Sequence, residues 1–111
     1  MSRKIPTHDH GQRARGDTLR FPSVRKTSAG VAVDLTGYTV RATVRSSAGV
    51  AVDGVVVTVT PLAGRVEVAI PAAVSAALAP DKYSYDIEYQ IGSEVETLVR
   101  YTFSLVEDVT R

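Results

Sequence analysis

The sequence predicts an all-β sandwich of about seven strands. Short segments of alternating apolar and polar residues recur along the chain, and turn residues separate them roughly every eight to twelve residues, a spacing typical of sandwiches. Valine and threonine dominate these segments, and a branched Cβ packs well on a pleated surface. With 111 residues, 44% of them hydrophobic, the chain is long enough to bury one core and is predicted to form one folded domain.

Alternation indicates the later strands most clearly. In segment 38–45 valines and Ala42 share one face, and threonines and arginines share the other. Segments 65–70 and 82–90 alternate in the same way, the second with three tyrosines and Ile87 inward. Segment 94–106 is predicted to form a hairpin with 82–90. Its predicted inward residues are Val95, Val99, Tyr101, Phe103 and Leu105.

Two further strands carry special features. A strand over 18–27 is interrupted by Pro22, which cannot donate to a β-ladder and therefore indicates an edge strand or a switch between sheets. The strand over 55–60 (VVVTVT) is apolar on both faces at its start. The loop at 62–64 that follows predicts a hairpin with segment 65–70.

Residues 71–79 (PAAVSAALA) predict one short helical turn. Pro71 suits a first helical position, alanine is the best helix former, and Pro80 ends the helix. Val74 and Leu78 are four residues apart and are predicted to face the core together.

Residues 1–16 are predicted to form an extended N-terminal arm, and residues 17–111 the sandwich. The arm is polar, contains Pro6 and two glycines, and shows no apolar period that predicts a contribution to a core. Charge divides the chain in a similar way, because residues 1–26 carry a net +5 and the remainder carries −4. A basic arm on a mildly acidic body predicts docking onto an acidic neighbour, such as another copy of the same body.

The residues of the arm that are predicted to bind a partner are basic or imidazole side chains: Arg3, Lys4, His8, His10, Arg13 and Arg15. Contact with nucleic acid is an alternative, because arginine and lysine bind phosphates through charge. No aromatic residue interleaves with the basic ones before Phe21, which disfavours stacking on single strands. A merely solvated arm is the third alternative.

Charged residues on the predicted strands form a second set. They either pair across strands of one sheet or form complementary patches on neighbouring copies, and the sequence leaves both open. The members are Arg41, Arg45, Arg65, Asp86, Glu88 and Glu96.

No catalytic residue, metal site or cofactor is predicted. The absence of cysteine excludes a disulfide framework, thiolate zinc sites and cysteine nucleophiles. Serines are plentiful, but both histidines lie in the arm, and no G-x-S-x-G elbow or glycine-rich phosphate loop occurs. His8, Asp9 and His10 are possible metal ligands by type, but the arm offers no further ligand at a fitting distance. Asp86 and Glu88 alternate with core residues and are predicted to face solvent.

Nothing in the sequence predicts contact with a membrane. No run of 18 apolar residues occurs, and the N-terminal segment lacks the apolar stretch of a secretory signal. These observations predict production in a cytoplasm, whatever the later destination.

The segment Leu78-Ala79-Pro80-Asp81-Lys82-Tyr83 resembles the tyrosine corner of immunoglobulin-like sandwiches. In that motif a tyrosine near the start of a late strand bonds back to the backbone of the preceding turn. Leu78 and Tyr83 are therefore expected to form a structural corner, and the sandwich is expected to be immunoglobulin-like.

A second resemblance covers nearly the whole body. It comprises Gly16-Asp17-Thr18-Leu19-Arg20-Phe21, Asp34-Leu35-Thr36-Gly37-Tyr38-Thr39-Val40-Arg41, Ala76-Ala77-Leu78-Ala79-Pro80, Tyr83-Ser84-Tyr85-Asp86 and Val106-Glu107-Asp108-Val109-Thr110-Arg111. This order resembles small tail-associated proteins of bacteriophages and prophages. It is also similar to the immunoglobulin-like N-terminal domain of phage upper-baseplate proteins.

The phage resemblance implies a non-enzymatic virion protein made in the host bacterial cytoplasm. Its expected place is the tail or baseplate, where it docks or attaches fibres, and its expected partners are other virion proteins and copies of itself. A head decoration or head–tail joining protein is an alternative. A binding module for a carbohydrate or a host protein is another, but most aromatic residues sit at in-register strand positions rather than on loops.

Overall fold

The structure is a computed structural model and describes residues 7–107, which form seven strands, one short α-helix and a 3-10 turn over Pro61–Ala63. The strands are β1 (Thr7–Ala14), β2 (Leu19–Val24), β3 (Thr39–Arg45), β4 (Val56–Thr60), β5 (Arg65–Ile70), β6 (Asp81–Ile91) and β7 (Glu94–Val106). The helix α1 (Ala72–Ala76) lies between β5 and β6. One sheet has the order β1-β7-β6-β3 and the other β2-β5-β4.

The strand order is that of an immunoglobulin-like sandwich. In constant-type domains strands C, F and G form one sheet and strands B, E and D the other, and β3-β6-β7 and β2-β5-β4 reproduce those two sets. The first strand, β1, joins the sheet of β7 and runs parallel to β7, whereas the other strand pairs are antiparallel. The predicted fold class is therefore confirmed.

The core lies between the two sheets and follows the predicted alternation. Alternate positions of β6 bury Tyr83, Tyr85, Ile87 and Tyr89. The other fully buried apolar side chains are Leu19, Phe21, Leu35, Val44, Val66, Val68, Ile70, Phe103 and Leu105. Alternation succeeds here because each of these strands buries one face and exposes the other.

A β-bulge in β7 exchanges the inward and outward positions of the residues before it. The prediction that Val95 points into the core is therefore wrong. Asp86 pairs with Arg100, but the next pair along β6 is Glu88 with Thr97, so three steps on β7 oppose two on β6. Beyond the bulge Glu96 lies opposite Tyr89, and Val95 is 52% exposed. The alternation breaks at Thr97 and Leu98, and the prediction for Val95 passed over this break, which coincides with the bulge.

The predicted boundary between arm and sandwich is wrong for residues 7–14. These residues are β1, an edge strand of the first sheet, and not an arm apart from a body of 17–111. The missing apolar period misled the prediction because β1 is attached by main-chain pairing and by one imidazole, neither of which needs aliphatic side chains. Residues 1–6, which include Arg3 and Lys4, lie outside the described residues.

The helix and the tyrosine corner lie where the sequence predicts them, but the helix is shorter than predicted. The α-helix covers Ala72–Ala76, shorter than the predicted 71–79, because the amides of Ala77 and Leu78 bond to carbonyls three residues back and close the turn. Val74 and Leu78 pack against the core, as predicted. The Tyr83 hydroxyl donates to the Ala79 carbonyl at 2.7 Å, which is the bond expected of a tyrosine corner.

Pro22 lies in β2, at one edge of the second sheet, as the sequence predicted. There its missing N–H removes no bond from the centre of a sheet.

Candidate interaction surface around strand β1

Strand β1 is polar along its whole length and is attached mainly through its backbone. Thr7 pairs with Arg100 and Asp9 with Thr102, and after a register shift at Gly11 the pairing continues to Ala14 and Val106. No residue of β1 is fully buried. The Asp9 carboxylate accepts hydrogen bonds from the Gly11 amide at 3.0 Å and the Thr102 hydroxyl at 3.2 Å. These bonds, the first above all, lower the pKa of Asp9.

His10 is the one side chain of β1 that inserts into the aromatic part of the core. Its ring stacks on Phe21 at a centroid distance of 4.5 Å and on Tyr101 at 5.1 Å. Its Nε2 atom is hydrogen-bonded to the Tyr85 hydroxyl at 2.9 Å. Burial lowers the pKa of His10, and the nearby His8 and Arg13 lower it further, while Asp9 opposes them. His10 therefore holds β1 in place as a neutral ring.

We expect the stability of the protein to depend on pH through His10. Because its pKa is lower in the folded protein than its ordinary value of 6.5, the unfolded chain takes up the proton first as the pH falls. The free energy of unfolding should be level well above pH 6.5 and should decrease as the pH falls through 6.5 toward the lower pKa of the folded protein. Denaturant titrations at several pH values between about 5 and 8 measure this slope.

His10→Gln should flatten the pH dependence, whereas His8→Gln, which leaves the His10 ring in its stack, should keep most of it. An unchanged slope in the His10→Gln variant would place the pH dependence outside β1.

The arginines predicted to bind a partner contact the chain's own body. Arg13 lies over the Phe21 ring at 5.4 Å and donates to the His10 carbonyl at 2.9 Å. Arg15 pairs with Glu107 at 2.6 Å and donates to the Ala76 carbonyl at 2.8 Å. In the described part of the predicted arm, His8 remains exposed, with its ring edge-on to Tyr101 at 5.9 Å.

Ser75 is a site residue that the sequence analysis missed. It is fully buried, and its hydroxyl donates to the Asp17 carbonyl at 2.7 Å and accepts from the Gly16 amide at 3.0 Å. Helix α1 thereby fixes the turn between β1 and β2. A signal was present, since Ser75 lies three residues before Leu78 and thus on the same helical face.

Arg25 is a second missed residue, and it joins the two sheets. Its guanidinium lies 4.8 Å from the Tyr89 ring centroid and 5.6 Å from that of Tyr38. It also donates to Glu96, at 3.1 Å, and its side chain is only 14% exposed. Arg25 was counted in the basic part of the chain, yet it is bound between aromatic faces and an acid that the bulge of β7 turns toward it.

The charged residues on the outer face of the first sheet pair within the chain. Arg100 pairs with Asp86 at 3.0 Å, and Arg41 with Glu88 at 3.7 Å, along a shallow cleft of about 300 Å³. Arg65 pairs with Glu67 at 3.2 Å on the other sheet. Arg100–Asp86 and Arg41–Glu88 are cross-strand pairs, whereas Arg65 and Glu67 lie on the same strand, β5. Exposed pairs of this type contribute on the order of 0–1 kcal/mol each.

A second surface is an apolar groove at one end of the sandwich. It has a volume of about 480 Å³ and lies between helix α1 and the 50–53 loop. Its lining includes Val50, which is 65% exposed, together with Val52, Val74 and Leu78.

Within residues 7–107, no group of three or more His, Cys, Asp or Glu side chains is arranged to hold a metal ion. Of the helices in that range, none has the length and apolar character needed to cross a membrane.

No known protein family matches the sequence, and no curated protein sequence matches it. The solved structures that match the chain include three that align with nearly its whole length. A family 123 glycoside hydrolase from Clostridium perfringens, which hydrolyses glycolipid glycans, aligns with a TM-score of 0.59 and 12% identity over 97% of this chain. The chain spans only 24% of that hydrolase, and at this identity the likeness is one of fold alone.

Two further structures that align with the chain are immunoglobulin-type proteins. The N-terminal Ig1-2 module of the Drosophila receptor protein tyrosine phosphatase DLAR has a TM-score of 0.48 and 17% identity, with 96% of this chain and 48% of that module covered. The M1 domain of titin has a TM-score of 0.47 and 8% identity, with 96% and 94% covered.

Proposed function

We propose that this protein is a non-enzymatic structural component of a bacteriophage particle. Its place is the tail or baseplate, where it packs with copies of itself and with other virion proteins. The sequence motifs from Gly16-Asp17-Thr18 to Tyr83-Ser84-Tyr85-Asp86 support the phage origin by their resemblance to tail-associated proteins. The observation that carries an assembly role is β1, a polar strand at a sheet edge that is attached mainly through its backbone. Such a strand suits contacts between subunits.

The contacts of the ionisable side chains support a non-enzymatic role. His10 is stacked between aromatic rings and bonded to Tyr85, so its imidazole does not face a nucleophile. Most glycosidases need one carboxylic acid that holds a proton beside a second carboxylate. Asp86 and Glu88, on the cleft of the first sheet, are each engaged in an ion pair with an arginine, and both side chains are partly exposed.

Replacement of the gene by truncated versions tests the proposal. The wild-type protein should copurify with particles, and a variant lacking residues 1–14 should remain soluble but be lost from them. Arg20→Gln is the matched control, because it removes one cation, paired with Glu67, and leaves β1 intact. Absence of the wild-type protein from purified particles would refute the virion role, and normal incorporation of the truncated one would refute the role of β1 in assembly.

The position of the protein within the particle distinguishes the proposed tail or baseplate role from the main alternative. A head decoration or head–tail joining protein would need the same fold and the same contacts, so imaging of labelled particles decides between head and tail. A carbohydrate-binding module is less well supported, because Tyr83, Tyr85 and Tyr89 are buried and offer no exposed aromatic platform.

A further inference from the structure

We propose that β1 is an exchangeable strand, which leaves its own β7 and occupies the identical position on a second copy of the chain. The inference deepens the proposed function and rests on it for its biological setting. It names the partner as another copy of this protein and the docking site as the edge of β7 beside Phe21, Tyr85 and Tyr101.

The first argument is the way β1 is attached. Its backbone pairs with β7, and no side chain of β1 is fully buried, whereas β6 buries four. The main-chain bonds that β1 loses when it leaves are formed again on the β7 of a second copy. Exchange of an identical element therefore has a low net cost in free energy.

The second argument is the shape of the vacated site. Without β1, the stacking faces of Phe21 and Tyr101 lose their cover, and the Tyr85 hydroxyl loses its bond to His10. An arbitrary extended peptide would pair with the β7 backbone but would not place an imidazole between those rings. A second copy of β1 supplies the imidazole in the correct register, and so it is the occupant that the site fits.

The third argument is the connection between β1 and β2. Residues 15–18 form a turn in which Gly16 has a φ of +87° and open space around its Cα. Ser75 holds this turn closed through Asp17 and Gly16. Four extended residues span about 13 Å, which is enough for β1 to reach outward from its own body. Loss of the Ser75 hydroxyl should therefore favour the open turn.

Cysteine cross-linking tests the exchange in the full chain, which has no native cysteine. Gln12 on β1 pairs in register with Ser104 on β7. A Gln12→Cys, Ser104→Cys double variant at low concentration should form a disulfide within one chain, which checks the geometry. Mixing the two single variants should give a disulfide-linked heterodimer, seen on non-reducing gels and by mass spectrometry.

In the matched control, the Thr58→Cys variant, whose cysteine is at an exposed position on β4, is mixed with the Ser104→Cys variant. This mixture should give only the low yield of disulfide-linked dimer that random collisions produce. While dimer is the minor species, a tenfold rise in protein concentration should raise the ratio of cross-linked dimer to monomer by roughly tenfold. Ser75→Ala should speed formation of the heterodimer.

A heterodimer yield no higher than that of the Thr58→Cys mixture would overturn the exchange. This outcome is distinct from failure of the proposed function. If the protein cross-links as expected but is absent from particles, the strand exchange stands and the virion role is refuted. If the protein is present in particles but does not cross-link above the control, the virion role stands and the strand exchange is refuted.

Discussion

Phe21→Ala is expected to lower the free energy of unfolding by about 3–5 kcal/mol, the usual range for removing a buried phenylalanine ring. Phe21 is 2% exposed and packs on Phe103 at 5.0 Å and Tyr85 at 5.9 Å. It also provides the surface on which His10 stacks and over which Arg13 lies. The variant therefore opens a cavity in the core and weakens the attachment of β1 at the same time.

Chemical denaturation measures the first effect, and limited trypsin digestion measures the second. Trypsin cleaves after arginine, and Arg13 and Arg15 lie at the end of β1 and just beyond it. In Phe21→Ala these sites should be cut faster under native conditions. Phe21→Leu is the matched control, because it keeps most of the apolar volume and loses the aromatic stack. A loss below about 1 kcal/mol in the alanine variant would contradict the packing described for Phe21.

Gly64→Ala is expected to lower the free energy of unfolding by about 2–5 kcal/mol. Gly64 has a φ of +61°, where an L-residue with a Cβ costs roughly 1–2 kcal/mol. A Cβ at this position would also lie 2.7 Å from the Val33 carbonyl oxygen and 2.8 Å from that of Arg25. Relief of such overpacking requires backbone movement, at a typical cost of about 1–3 kcal/mol.

Gly30→Ala separates the two contributions. Gly30 has a φ of +83°, but an added Cβ there meets no atom within 4 Å, so only the conformational cost applies. The difference between the two variants in denaturant unfolding measures the clash around Gly64. Equal losses in both variants would show that the β4–β5 turn yields to the added methyl group.

The sequence was most informative where one strand face is buried and the other is solvated. Segments 65–70 and 82–90 alternate cleanly, and both became strands with the predicted inward residues. The structural roles of Pro22 and Tyr83 could be predicted because each depends on nearby groups. Pro22 lacks a backbone N–H, and the Tyr83 hydroxyl bonds to a carbonyl only four residues away.

Features that depend on distant partners could not be derived from local patterns. The bulge in β7 is defined by how two strands pair, and the break in alternation at Thr97 and Leu98 did not by itself indicate that Val95 points outward. Strand β1 lacks an apolar period because its stability comes from a β7 edge about ninety residues away in sequence and from the stacked His10. The partners of Arg25 and Ser75 were missed for the same reason, since their acceptors lie in other elements.

The parallel pairing of β1 with β7 also determines how the domain would bear mechanical load. Thr7 lies beside Arg100 and Ala14 beside Val106, so residues 7 and 107 lie toward opposite ends of this strand pair. Tension applied between them would pull the two strands along their own axes in opposite directions. Their interstrand hydrogen bonds would then be strained together in shear, and would not open one after another as in a zipper. Pulling single molecules from these two positions would show whether β1 and β7 act as a mechanical clamp.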